Sequence, residues 1–146
     1  MTLVSIPANP VPEGAVSGTL KTRDGVELRY ARWPPPPGRK GTVCLFQGRA
    51  EFIEKYFETV RDLRARGFAV ATLDWRGQGM SDRALRNRRK GYVRNFDQYQ
   101  IDLETFVNDV VLPDCPPPVF ALAHSMGATV LLRAAYAGHR WFDRMV

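Results

Sequence analysis

This 146-residue chain has little cysteine, little histidine and no long apolar run, and one stretch of it contains no acid at all. Its two cysteines stand in unlike contexts, Cys44 in an apolar run and Cys115 in a proline-rich loop. That pattern argues against a disulfide framework or a metal site and points to a reducing, cytoplasmic setting. The longest apolar stretches are Val43 to Phe46, Phe68 to Ala71 and Val119 to Ala123. All fall far short of the roughly 20 residues that a membrane-spanning helix needs. Met1 to Pro12 has neither a basic start nor a long apolar middle, so it is not read as a secretory signal. No internal repeat is visible.

What is present is ordinary for a globular domain: 45% hydrophobic and 25% charged residues, in a chain long enough for one sizeable core. The charge is uneven. Arg83, Arg86, Arg88, Arg89, Lys90 and Arg94 fall in one acid-free segment, and their six charges equal the whole net charge of +6. Such a segment suggests an anionic partner, for instance phosphate headgroups or an anionic membrane surface on the cytoplasmic side. The plainer alternative is a solvated loop whose charges pair with acids elsewhere. Nucleic acid is not the expected partner, because the segment carries one aromatic, Tyr92, and no recognised binding motif.

Hydrophobic periodicity gives the order of elements. Ser17 to Thr22 and Val26 to Trp33 flank Arg23-Asp24-Gly25, which predicts an antiparallel hairpin. Residues 1–15 before it read as an extended tail. Thr42 to Phe46, Phe68 to Leu73 and Val119 to Ala123 read as buried strands. Between them, Phe52 to Arg66 and Phe96 to Leu112 repeat apolar residues every three or four positions, the mark of amphipathic helices. Met126 to Ala137 is small and apolar almost throughout and reads as a buried helix. Strand–helix alternation predicts an α/β fold, a mostly parallel sheet with helices on both faces. Arg144-Met145-Val146 look like the start of another strand, so the domain is expected to be truncated after the helix Met126 to Ala137. The strand Val119 to Ala123 would then have an unpaired edge.

Sites in parallel sheets lie at the carboxyl ends of the strands. Three loops therefore matter. After Ala123 comes His124-Ser125-Met126-Gly127, a small-x-Ser-x-Gly turn between a strand and a helix. Such a turn lifts a serine hydroxyl above the sheet and sets the Met126 N–H at a helix N-terminus, where an oxyanion is stabilised. A serine in that place is also a good N-cap, which is the competing reading. After Phe46 the chain reads Gln47-Gly48-Arg49. Gly48 permits close backbone approach, and the Arg49 N–H is a candidate second oxyanion donor; a plain turn before a helix would look the same. After Leu73 the chain reads Asp74-Trp75-Arg76-Gly77-Gln78-Gly79-Met80-Ser81. Asp74 and Arg76 are suited to tie this loop down by charge-assisted hydrogen bonds. It lacks the Lys-Ser/Thr of a phosphate loop and the third glycine of a dinucleotide loop, so no cofactor is expected.

Taken together, Gln47-Gly48-Arg49, Asp74-x-Arg76-Gly77-x-Gly79-x-Ser81 and Ala123-His124-Ser125-Met126-Gly127 resemble the lysophospholipase and monoacylglycerol lipase group of α/β hydrolases, from about Gly18 to the end. The resemblance implies ester hydrolysis of single-chain lipids, with Ser125 as nucleophile and the N–H groups of Met126 and Arg49 as oxyanion hole. The group usually has histidine where this chain has Gln47. Its triad runs Ser, acid, His, whereas only His139 and Asp143 follow Ser125 here, in reverse order. The acid, the histidine and any cap are therefore expected beyond Val146. A peptidase of the same fold and a catalytically inert binding module remain alternatives.

Overall fold

A computed structural model describes residues 2–146. The hairpin forms where Asp24-Gly25 places it: β1 (Val16–Lys21) and β2 (Glu27–Trp33) pair antiparallel, with Thr19 opposite Arg29. The turn closes through the Gly25 N–H to Thr22 O and the Thr22 N–H to Val26 O. Gly25 has φ +85°, a conformation glycine adopts without a Cβ penalty. β3 (Thr42–Phe46), β4 (Ala69–Leu73) and β5 (Val119–Ala123) follow as short, apolar strands. The six-stranded sheet runs β1-β2-β4-β3-β5-β6, where β6 is Arg144–Met145. β2 joins β4 antiparallel; β4, β3, β5 and β6 are parallel.

Period-two alternation divides the core between the two faces. Cys44, Phe46, Ala71 and Leu73 point to one side. There they meet α2 (Gln98–Phe106) and α3 (Met126–Tyr136) through Leu103, Phe106, Val130 and Leu131. Val43, Leu45, Val70 and Trp33 point to the other, against α1 (Phe57–Ala65) and the 3-10 turn Ile53–Tyr56 before it. Helices therefore cover both faces, as the alternation predicts. α1 ends as expected at Gly67, whose φ is +96°.

Four details depart from the sequence reading. The helix begun by α2 runs past Leu112 to Asp114, through a π-helical turn, Val107–Val111, in which the Leu112 N–H bonds to Val107 O. Pro113 explains the widening, since it donates no N–H and its ring crowds the carbonyl four residues back. Only one face of α3 is buried: Gly127, Val130, Leu131 and Ala134 pack inward, while Leu132 and Tyr136 are exposed. A single layer lies beneath this helix, and a small-residue composition does not say which faces will be covered. The edge of β5 is paired rather than open, by β6 and by the Ala123 N–H to Val146 O bond of 2.8 Å. The segment up to residue 15, expected as an extended tail, has no helix but is held down. Leu3 is buried in the α1-side core, and Pro12 O accepts the Trp33 Nε1–H. Asn9 and the Val4 N–H reach Glu54.

Candidate active site

The carboxyl ends of β3, β4 and β5 bring the three loops together. At the end of β5, Ser125 has φ 52° and ψ −115°, and its side chain makes no capping hydrogen bond to α3. An N-cap serine has extended backbone and bonds the helix amides, so the capping reading fails. A left-handed φ on a non-glycine residue costs about 1–3 kcal/mol and persists only where neighbours enforce it. Here the enforcement is visible. The His124 N–H donates to Phe46 O at 2.9 Å, and the Gly127 N–H donates to His124 O at 3.0 Å. A Cβ on Gly127 would stand 2.4 Å from Phe46 O and 2.7 Å from Gln47 O, so strand and helix close only over glycine. Ser125 itself is exposed.

The loop after β3 lies against it. A Cβ on Gly48 would lie 2.9 Å from Glu51 Oε2, 3.0 Å from His124 Nδ1 and 3.3 Å from Ser125 Cβ. Gly48 thus allows the close approach that the motif demands. The Gly48 N–H is taken by Glu51 Oε2 at 2.6 Å and the Ala50 N–H by Gln78 Oε1 at 3.2 Å. Neither the Arg49 N–H nor the Met126 N–H donates a hydrogen bond to any described residue. Two unpaired amides, one at the start of an α-helix, beside a serine held in a strained turn can accept a developing oxyanion.

Two residues that the sequence reading did not single out hold this loop. Glu51 is buried, and its Oε2 also accepts the Tyr56 hydroxyl at 2.7 Å and faces His124 Nδ1 at 3.2 Å, while Lys55 pairs with Oε1. Burial pushes its carboxyl up, but bonds from Lys55, Tyr56, Gly48 and His124 outweigh burial and hold it down at about 2. His124 is exposed and touches the loop after β3 through Glu51. Gln78, the variable position between Gly77 and Gly79, donates through Nε2 to Gly48 O at 2.8 Å and Glu51 O at 3.1 Å. A glutamate before a helix and a glutamine inside a glycine loop carry no signal of their own; only the fold brings them together.

The loop after β4 is tied by buried acids. Asp74 takes Arg29 Nε at 2.7 Å, the Ile53 N–H at 2.9 Å and the Met80 N–H at 2.8 Å. Arg29 also bonds both oxygens of Glu54, at 2.6 and 2.7 Å. Gly79 sits where a Cβ would fall 2.1 Å from the Asp74 carboxyl, and Gly77 has φ +81°. Arg76 joins Asp102 (Nε to Oδ1, 2.8 Å) and Asp24 (2.6 and 3.0 Å). The Arg76 bond outweighs burial and lowers Asp24 to about 2, whereas burial raises Asp102 to about 6. Gln47 is buried, with its side-chain oxygen Oε1 unpartnered among the described residues. Asp74 and Arg76 thus brace the site, and neither reaches Ser125. His139 lies past the far end of α3, stacked on Trp141 with centroids 4.0 Å apart. At 1.5 Å per helical residue it is about 20 Å from Ser125. None of Arg83, Arg86, Arg88, Arg89, Lys90 and Arg94 forms an ion pair among the described residues.

Fold and loop arrangement together are those of an α/β hydrolase. The family described as serine aminopeptidase S33 matches residues 37–146, and the chain belongs to it. Among curated relatives, lysophospholipase L2 of Escherichia coli K12 is 36% identical over 107 residues, 73% of this chain and 31% of that protein. The monoglyceride lipase of Rattus norvegicus is 28% identical over 127 residues, 87% of this chain and 40% of that protein. The chain thus spans between about a third and two-fifths of the length of such relatives. Among solved structures, the α/β hydrolase GrgF from Penicillium sp. sh18 superposes with a TM-score of 0.70 at 20% identity, covering 90% of this chain and 44% of that one.

Proposed function

We propose that this chain is the nucleophile-bearing part of a hydrolase of carboxylic esters in single-chain lipids, lysophospholipids or monoacylglycerols. The observation that carries it is Ser125, with a left-handed φ and an uncapped hydroxyl, set against Gly48, with the amides of the adjoining Met126 and of Arg49 beside Gly48 unpaired among the described residues. In the whole protein Ser125 Oγ attacks the ester carbonyl while its proton passes to a histidine base. The Met126 and Arg49 N–H groups hold the oxyanion, each donor contributing about 3 kcal/mol. The tetrahedral intermediate expels the alcohol, which takes the proton from the histidine. Water, deprotonated by the same histidine, then attacks the acyl-serine and releases the fatty acid. The relatives named lysophospholipase and monoglyceride lipase support the lipid ester as substrate.

A fluorophosphonate tests the nucleophile. In the whole protein it should label one residue, Ser125, and Ser125→Ala should abolish both labelling and ester turnover. Labelling elsewhere, or turnover surviving in the variant, refutes the assignment. The family description favours a second reading, cleavage of aminoacyl amides. Comparing kcat/KM for lysophospholipids and monoacylglycerols with that for aminoacyl amides decides between them. The basic segment completes the proposal as a contact with anionic headgroups at the cytoplasmic membrane face. Replacing its six bases by Gln should raise the apparent KM on anionic vesicles, and an unchanged KM removes the contact.

A further inference from the structure

One groove of the molecule does not contain Ser125. It has a volume of about 780 Å³ and runs between the N-terminal segment, the loop carrying Arg49 to Phe52, and the loop from Arg76 to Val93. Three features set it apart from ordinary surface. Val4, Ile6, Phe52 and Met80 all line it, and each is exposed, by 55%, 51%, 44% and 46%. Large exposed apolar side chains scattered singly mean little, but four along one groove mark a contact surface. Arg49, Arg83, Arg88 and Arg89 line the same groove, and none has an acidic partner among the described residues. The guanidinium of Arg83 is turned back onto the carbonyls of Gly79, Ser81 and Arg88, and that of Arg49 reaches Gly91 O at 3.4 Å, which leaves Arg88 and Arg89 as the cations whose side chains have no hydrogen-bond partner among the described residues. Finally, the wall is fixed. Val4 N–H donates to Glu54 Oε1 at 3.0 Å. Glu54, the one acid among the lining residues, is neutralised by Arg29.

We propose that this groove binds one molecule of an anionic single-chain amphiphile, its tail along Val4, Ile6, Phe52 and Met80 and its head at Arg88 and Arg89. Charge complementarity chooses the head, because guanidinium groups recognise carboxylate and phosphate through paired donors. Size chooses a single molecule over a bilayer, since sites for small ligands occupy roughly 300–1,000 Å³. The site stands apart from the hydrolase reading. It uses no side chain of the elbow, and of the oxyanion loop it uses the Arg49 side chain, not its amide.

Titration calorimetry of the 146-residue chain with monomeric dodecanoate, below its micelle concentration, tests it. Dodecanoate is not an ester, so the result is independent of any hydrolysis. Saturable binding to one site is expected, weakened about tenfold or more in R88Q/R89Q and likewise in M80S. R86Q/K90Q makes the same charge change on the same loop but outside the groove, and should leave the affinity within about twofold. Neutral dodecyl maltoside, with a tail and no anionic head, should bind at least about tenfold more weakly than dodecanoate. Equal loss in R88Q/R89Q and R86Q/K90Q would mean diffuse charge attraction and would overturn the site. So would equal binding of the maltoside, or binding of phosphatidylglycerol vesicles with none of the monomer. Thermal melts of each variant confirm that loss of binding is not loss of fold.

Discussion

Replacing Glu51 by Gln keeps the shape of the side chain and removes its charge. In the folded chain the bonds from Lys55, Tyr56, Gly48 and His124 hold the Glu51 carboxyl at about 2 against an ordinary 4.5, and its side chain is only 9% exposed. At 1.36 kcal/mol per unit, the ionised carboxylate contributes about 3 kcal/mol at about pH 7. The sign follows from the depression: the contribution is present above the unfolded value of 4.5 and fades as pH falls toward about 2, where both states become protonated. Urea unfolding of the wild type and Glu51→Gln should therefore differ by about 3 kcal/mol at about pH 7, by roughly half of that at about pH 3, and by well under 1 kcal/mol at about pH 2. In a chain of this length the neutral-pH difference corresponds to roughly 6–12 °C in Tm. A loss that stays constant across this range would mean that the carboxylate matters for shape and not for charge. A loss below about 0.5 kcal/mol at about pH 7 would refute the claim that Glu51 anchors the Gly48 loop.

Gly127→Ala should cost more than about 2 kcal/mol in chemical denaturation, because its Cβ meets two backbone carbonyls that cannot move without opening the elbow. Arg29→Met leaves Asp74 and Glu54 as uncompensated buried carboxylates and should cost about 3–5 kcal/mol; circular dichroism melts would register it as a largely unfolded protein at ambient temperature.

The order of strands and helices was legible because each strand is a short apolar run and each helix keeps its period, so local pattern and final packing agree. The elbow was legible for a different reason. Gly48, Gly127 and Ser125 sit at positions where backbones approach or turn sharply, and such positions restrict residue type so tightly that the restriction is visible in one sequence. Glu51 and Gln78 were not legible. Gln78 works through the carbonyls of Gly48 and Glu51, and Glu51, besides its neighbours Gly48, Lys55 and Tyr56, faces His124; nothing in the local sequence restricts an exposed-looking Glu or Gln. The π-helical turn before Pro113 and the open face of α3 escaped for the same kind of reason. A period identifies a helix, but not the width of one turn or which neighbour arrives to cover it. The six bases were legible as a segment, whereas the division between those at the groove and those away from it depends on how the loop folds.

The strain at Ser125 offers a check on the elbow that needs no substrate. Glycine adopts φ 52°, ψ −115° freely, whereas serine and alanine do not. Ser125→Gly relieves about 1–3 kcal/mol of backbone strain and loses about 0.5–1 kcal/mol to the greater freedom of the unfolded chain. Ser125→Ala changes neither term, and no hydrogen bond from the side chain to the helix is lost in either variant. The glycine variant should therefore be more stable than the alanine variant by about 1 kcal/mol in urea, a difference in which the removed hydroxyl cancels. An alanine variant as stable as the glycine variant would mean that the turn is not strained, and that the neighbouring backbone, through the Phe46 and His124 carbonyls, does not force Ser125 into its geometry.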